Sequence, residues 1–422
     1  MALYTPRPLE AAWEAILTNA APRTTTSSAL AVMVERVSRR YNGEEVVIAR
    51  SDELLARTLF WFARDIQKPG LAIAELARAG ALPSRPLSVL DVGAGMGATS
   101  LGLLRALADP EIAARTPVRI ERIDALDRDG EALAIFGRIA ESALRAGLIA
   151  EGTAVRSFTG DLLAAASDAT SGLPSVRRPY DLVVAGSVLV EVTRAAGDEI
   201  ARGAAIADRI HQLVDAAPLA PDGAMIVIEP ATRADTRPLH HARAALLERG
   251  YGIFAPCTHS EACPMLERDR DWCHEDLAAN LPPWLVPIAR EAGLRWEGLT
   301  FSYLVVRRDR THSVRDIVAR EAGADLVPVR IVSQPRSTKG KTEAFASGPF
   351  EGPTRGPRLM QLDRDVKRAA DDEDGGRLAE LVRGDLVGLD RAAAARSTEG
   401  KAVRVTPAEV RPVRPPSEPT PE

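Results

Sequence analysis

Val89-Leu90-Asp91-Val92-Gly93-Ala94-Gly95-Met96-Gly97 joins an apolar run, LSVLDV, to a stretch with helical spacing, TSLGLLRALAD. A strand that turns at once into a helix needs glycines to make the turn and to let a ligand approach the backbone, and the helix start offers that ligand unpaired N–H groups. Gly93, Gly95 and Gly97 supply such a loop. Asp91 precedes Gly93 by two positions, the spacing of S-adenosylmethionine sites in which a carboxylate organises the charged amino-acid end of the cofactor. A dinucleotide loop would place its third glycine where Ala98 stands, and such loops also accept alanine, so the loop alone leaves NAD open.

The segments outward from the loop favour the methyl donor. VRIERIDALD, AVRSFTGD, YDLVVAG, AMIVIEP and WEGLTFSYLVVRR are short apolar runs separated by helical stretches such as EALAIFGRIAESALRAG and LHHARAALLERG. That alternation reads as a doubly wound α/β sheet. Asp127 closes the second run, where a carboxylate can accept both ribose hydroxyls, and Asp161 follows the third, where it can accept from the adenine amino group. Asp91, Gly93, Gly95, Gly97, Asp127 and Asp161 are therefore the expected S-adenosylmethionine contacts. The fourth run leads into Ser187-Val188-Leu189-Val190-Glu191, without the Asn/Asp-Pro-Pro-aromatic motif used on exocyclic base nitrogens and without a nucleophilic cysteine. Glu191 and Glu229 are candidate proton acceptors at the carboxyl edge of the sheet, with helix capping the plainer role for each. Methyl transfer can rest on positioning alone, so no catalytic residue is assigned.

The pattern predicts a helical prelude over residues 1–85, with Asp52 capping the helix in DELLARTLFWFARDIQ. A Rossmann-like methyltransferase domain follows over 86–310, interrupted at 251–283 by a knuckle that holds every cysteine. A small β-rich module is expected over 326–390. The end, 396–422, is proline-rich and polar and reads as a disordered tail.

The 422 residues are 45% hydrophobic and 27% charged, a globular balance that excludes a wholly disordered, collagen-like or disulfide-scaffold protein. The net charge of −4 gives no global attraction to nucleic acid, so DNA is not an expected partner and any RNA contact must come from a local patch. Arg307, Arg308, Arg310, Arg330, Arg336, Lys339 and Lys341 are the candidates for phosphate contacts. No run approaches the roughly 20 apolar residues of a membrane span, and MALYTPRPLEAAWEAI lacks a signal-peptide pattern. A soluble cytoplasmic protein with no membrane partner is expected.

In a reducing cytoplasm the three cysteines are not expected to form disulfides, and all lie between Cys257 and Cys273, interspersed with His259 and followed by His274. Soft thiolates suit zinc or iron–sulfur ligation, and ordinary buried cysteines would not gather beside proline turns in one loop. Cys257, Cys263 and Cys273 are the expected ligands, with His259 or His274 as a possible fourth.

Taken with VLDVGAGMG and MIVIEP, this knuckle resembles the methyltransferase-like family associated with assembly of the small ribosomal subunit, known from mitochondria and with bacterial relatives. The resemblance runs from about Ala29 to Pro335 and includes SRRYNG, DLVVAGSVLVEV, PCTH, DWCH, WEGLTFSYLVVRR and RIVSQPR. For the mitochondrial members it implies a [4Fe–4S] cluster on four cysteines, three in the knuckle and a fourth in a C-terminal β module. Here no cysteine follows Cys273, and Lys341 to Gly348, where the fourth is expected, reads KTEAFASG. Three alternatives follow: a cluster on three thiolates with a non-cysteine or open fourth site, a zinc held as Cys₃His, or loss of the centre. The Gly-Thr-Pro usual after the Glu-Pro of the fifth strand is replaced by Ala231-Thr232-Arg233.

The resemblance implies action on the small ribosomal subunit or its rRNA, in ribosome biogenesis and translation. Two versions stand open: an S-adenosylmethionine-dependent methyltransferase of rRNA, and an assembly factor for which the cofactor is a structural or sensing ligand. A small-molecule methyltransferase with a structural zinc is the third reading, in which the β-rich module and basic stretch would be idle.

Overall fold

The structure, a computed structural model, describes residues 4–161, 179–216, 219–351, 356–369, 375–397 and 401–413. Its first sheet is built from β1 (Leu87–Val92), β2 (Ile120–Asp127), β3 (Ala154–Thr159), β4 (Tyr180–Gly186), β5 (Leu219–Glu229), β6 (Gly252–Ala255), β7 (Glu275–Leu277) and β8 (Leu299–Arg307). The order is β3-β2-β1-β4-β5-β8-β6, with β7 paired to β8. β1 to β5 run parallel and β8 antiparallel to β5 and β6. All six residues of β1 are buried, as a strand covered by helices on both faces requires. The helices Ala98–Leu107, Gly130–Arg145, Glu199–Ala216 and Arg233–Glu248 follow β1, β2, β4 and β5. Strand order reverses between β1 and β4, which puts the crevice for a ligand at the end of β1. The doubly wound α/β reading holds.

The prelude consists of helices Ala12–Ala20, Ser27–Tyr41, Arg50–Ala56, Phe62–Asp65 and Pro69–Arg78, the third and fourth joined by a π turn at Arg57–Trp61. Trp13 is fully buried and packs on Phe62 with ring centroids 5.6 Å apart. Asp52 is not a cap: the helix starts two residues earlier, after Ala49, and the Asp52 carboxylate takes the Arg23 guanidinium at 2.5 Å instead.

A second sheet occupies the C-terminal part: β9 (Val327–Ile331), β10 (Arg336–Thr338), β11 (Lys341–Ser347), β12 (Arg358–Leu362), β13 (Leu386–Leu389), β14 (Val403–Arg404) and β15 (Val410–Pro412). Its order is β14-β12-β11-β9-β13-β15, with β10 hairpinned onto β11. Val329, Ile331, Phe350, Leu359, Leu378 and Val387 fill its core. This corrects the expected tail. Val403, Val405, Val410 and Val413 are buried, and β14 and β15 form the two edges of the sheet. Proline and polar composition hid an alternation of valines that packs. Residues 398–400 and 414–422 of that tail lie outside the described residues.

The two sheets and the prelude meet at one buried polar cluster. The Arg330 guanidinium donates to Glu75 Oε1 at 2.6 Å and to the Gly384 carbonyl at 2.8 Å, while the Tyr303 hydroxyl donates to Glu75 Oε2 at 2.6 Å. Glu75 lies on Pro69–Arg78, Tyr303 on β8 and Arg330 on β9, so each part contributes one member.

Candidate functional site

The end of β1 opens into a cavity of about 1390 Å³ whose walls include Gly93, Gly95, Asp127, Asp161, Glu191 and Trp272. That exceeds the roughly 300–1,000 Å³ typical of a single small-molecule site, leaving room for a cofactor and part of a second molecule. Gly95 has φ +52°, and a Cβ there would sit 2.9 Å from Arg57 Nη2. The loop is thus pressed between Arg57 and the carboxylate of Asp127, whose Oδ2 accepts the Gly95 N–H at 2.7 Å. Asp127 Oδ1 accepts from Asp129 N at 2.8 Å, so the acid is fixed at the mouth of the loop. Asp161 follows β3 and is exposed on the same cavity.

Two of the expected cofactor contacts sit elsewhere. Asp91 is fully buried behind the loop, where Oδ2 accepts the Ser100 hydroxyl at 2.6 Å and ties β1 to the following helix. Burial pushes its carboxyl up to about 7. Gly97 is a packing glycine: with φ +81°, its Cβ would fall 2.2 Å from the Phe136 ring.

The two candidate proton acceptors separate. Glu229 does not face the cavity; it is fully buried, and Oε1 accepts from Leu189 N at 3.0 Å and Val190 N at 3.4 Å, capping the short helix after β4. Burial pushes it up to about 8. Glu191 does line the cavity and is ion-paired with Arg128 at 3.4 Å. Sequence reasoning missed the prelude's share of the wall. Arg57, Trp61, Arg64 and Lys68 face the cavity from the π turn, the short helix after it and the turn that follows. Arg64 lies over the Trp61 ring at 5.3 Å, with Tyr41 edge-on at 5.7 Å. An apolar periodicity with a tryptophan and three cations in it was the available signal, but a π turn leaves no mark in spacing. Ser187, directly after β4, is the single non-glycine residue with positive φ among the described residues (57°), and it too lines the cavity.

The cysteine segment forms a second, smaller site. Cys257, Cys263 and Cys273 all line a cavity of about 40 Å³, with His240, His259 and Ser347 also in its wall. Arg243 closes it from the helix Arg233–Glu248: Nε donates to Cys257 Sγ at 3.1 Å, Nη1 to the Glu261 carbonyl at 2.9 Å and Nη2 to the His259 carbonyl at 2.6 Å. Arg237, two turns away on that helix, gathers the carbonyls of Met265, Arg268 and Asp271. Burial pushes the Cys263 thiol up to about 11 and the Cys273 thiol well above its usual value. Burial also holds His240 down at about 3, so its neutral Nε2 accepts from Cys273 N at 3.1 Å. His259 Nε2 meets Ser347 Oγ at 3.0 Å, and His274 stacks on Trp272. The cysteines are free thiols, and among the described residues no three His, Cys, Asp or Glu side chains stand close enough to hold a metal ion as placed.

The basic candidates divide by burial. Arg307 is buried on Asp309 and the Ala81 carbonyl, Arg308 pairs with Asp215, and Arg310 donates to the Gly250 and Leu247 carbonyls. Arg330 belongs to the buried junction. Arg336 and Lys339 are exposed, and Lys341 is half-buried beside Glu343. Among the described residues no helix is long and apolar enough to cross a membrane.

Among curated proteins, none matches this chain. Solved structures that are similar include a ribosomal protein L11 methylase from Lactobacillus delbrueckii subsp. bulgaricus (19% identity, 58% of this chain and 79% of that one, TM-score 0.29). A magnesium protoporphyrin IX methyltransferase from Synechocystis PCC 6803 with bound SAM shows 16% identity over 68% of this chain and 99% of that one, TM-score 0.34. An O-methyltransferase family protein from Burkholderia thailandensis shows 15% identity over 70% and 77%, TM-score 0.33. The fold rests on the strand order above rather than on these scores. A family model described as mitochondrial small ribosomal subunit Rsm22 matches residues 73–344.

Proposed function

Because the chain belongs to the Rsm22 family, matched over well more than half its length, we propose that it binds S-adenosylmethionine in the large cavity and acts on the small ribosomal subunit or its RNA. The observation that carries the cofactor reading is Asp127 holding Gly95 N at 2.7 Å on a cavity that also receives Asp161. That hydrogen bond fixes the glycine turn and the Asp127 carboxylate at one mouth, where a cofactor's hydroxyl groups need an acceptor and its backbone-facing end needs close approach. With Glu229 committed to a helix and Glu191 to Arg128, methyl transfer at this site would depend on holding donor and acceptor in line rather than on a strong base.

Calorimetry on wild type and Gly95→Asp tests the cofactor. Aspartate tolerates a left-handed backbone and would face Arg57, so the variant folds but fills the cavity mouth. Loss of binding in the variant alone is expected; binding by neither protein, or equally by both, refutes the assignment. RNA recovered by crosslinking tests the target: small-subunit rRNA is expected, and its absence would leave a small-molecule substrate.

We propose a metal or iron–sulfur centre at the cysteine segment on donor chemistry alone, since among the described residues no three His, Cys, Asp or Glu side chains converge on an ion as placed. Three thiols line one cavity, and the buried Arg243 guanidinium that closes it donates to Cys257 Sγ at 3.1 Å. Cys257, Cys263 and Cys273 would hold the group, with His259 beside Ser347 at the remaining side; when bound, a metal ties the knuckle to its neighbours, because ligation free energy is folding free energy. Elemental analysis showing neither iron nor zinc near stoichiometry would defeat this.

A further inference from the structure

We infer that the open face of the C-terminal sheet is a platform for single-stranded RNA, with Phe345 as its base-stacking residue. Along β11, Thr342, Ala344 and Ala346 are buried while Phe345 points to the other face. Phe345 is 44% exposed, and of the exposed large apolar side chains among the described residues it is the one carried by a strand. Directly paired residues share a face. The register therefore sets Arg358 beside Phe345 and lays the row Arg336, Glu343, Met360, Arg404 across four strands next to them.

Charge identifies the occupant. Arg336, Lys339, Lys341, Arg358 and Arg404 stand against Glu343 and Asp365, a local excess of cations on a chain whose net charge is −4. Arg336 and Lys339 have no ion pair among the described residues. A flat aromatic ring beside a guanidinium on a β-sheet suits an unstacked base and its phosphates. A duplex keeps the faces of its bases stacked, and a protein interface core needs a broader apolar area than one ring and Met360. The same side of β11 ends two residues later at Ser347 in the wall of the thiol cavity, so platform and knuckle are continuous. This rests on the reading that the chain acts at small-subunit RNA.

The test measures anisotropy of a labelled twelve-nucleotide single strand, and of the same sequence as a duplex, with the full chain. Phe345→Ala is expected to weaken single-strand binding about ten-fold or more, the scale of one lost stacked base, and Phe345→Trp to restore it. Arg358→Ala should lower the salt slope by about one. Phe345 is solvent-exposed, so an unchanged thermal midpoint accompanies these effects. Equal single-strand affinity for Phe345→Ala, or duplex binding as tight as single strand, overturns the proposal. So does unchanged RNA affinity with lost co-sedimentation on small subunits, which would make the face a protein contact. Failure of wild type to co-sediment refutes the functional reading itself, a separate outcome.

Discussion

Glu229 shows how far one buried carboxyl departs from a surface acid. Its folded value lies near 8 because burial penalises the charge, against about 4.5 when unfolded. The folded chain therefore holds a proton that the unfolded chain has released, and stability falls as pH rises from about 4.5 toward 8. Glu229→Gln keeps an acceptor for Leu189 N and Val190 N and should flatten that fall, by on the order of a few kcal/mol over the window. Urea midpoints at pH 5 and pH 8 check it; parallel pH profiles for both proteins would refute the account. The same residue marks what sequence conveys at this scale. An acid after a parallel strand is legible as an acid at the carboxyl edge, and Asp127 and Asp161 do reach the cavity. Which way the side chain turns depends on the neighbouring strand's loop, so Asp91 turned inward unannounced, while Glu229 took the capping role that was its plainer reading. Arg307 and Arg330 misled for the converse reason: charge patterning assumes exposure, and burial with a partner leaves no trace in composition.

At the scale of elements, the helix Arg233–Glu248 is the scaffold of the cysteine segment. The cysteine cluster itself was plain in the sequence, but its supports were not, since Arg237 and Arg243 act through carbonyls of a loop without repeating structure. Arg243→Met removes three hydrogen bonds at once, one of them to Cys257. Amide hydrogen exchange across residues 257–273 should accelerate at least ten-fold, about 1.4 kcal/mol, while β1 to β5 keep their protection. Unchanged exchange in the segment would mean that the loop is held by its own packing. Helix starts were equally unsettled: Asp52 looked like a cap, yet pairing with Arg23, 29 positions earlier, won.

For the whole molecule, the Glu75, Tyr303 and Arg330 cluster fixes how prelude and both sheets sit together. No segment of sequence could show it, because its members are separated by 228 and 255 positions and meet only once all three parts are folded. Glu75→Gln leaves Arg330 with Glu275 alone, 4.0 Å away, and Arg330→Met leaves Glu75 buried without its cation; each should cost about 3–5 kcal/mol, and the double variant clearly less than the sum. Additive losses in denaturant unfolding would show that the pair is not coupled.

The strands that finish the C-terminal sheet also decide how the protein behaves among copies of itself. β14 has two residues and β15 three, the last of them Pro412. Rims that short, one ended by a residue with no N–H, give another chain almost nothing to hydrogen-bond to. Without them, β12 and the fully buried β13 would become the rims, with rows of unpaired backbone groups. A chain cut after Ala395, where composition alone would draw the boundary, should self-associate at concentrations where the full chain does not, visible as fast-sedimenting species in analytical ultracentrifugation. What composition marked as expendable is the seal against aggregation.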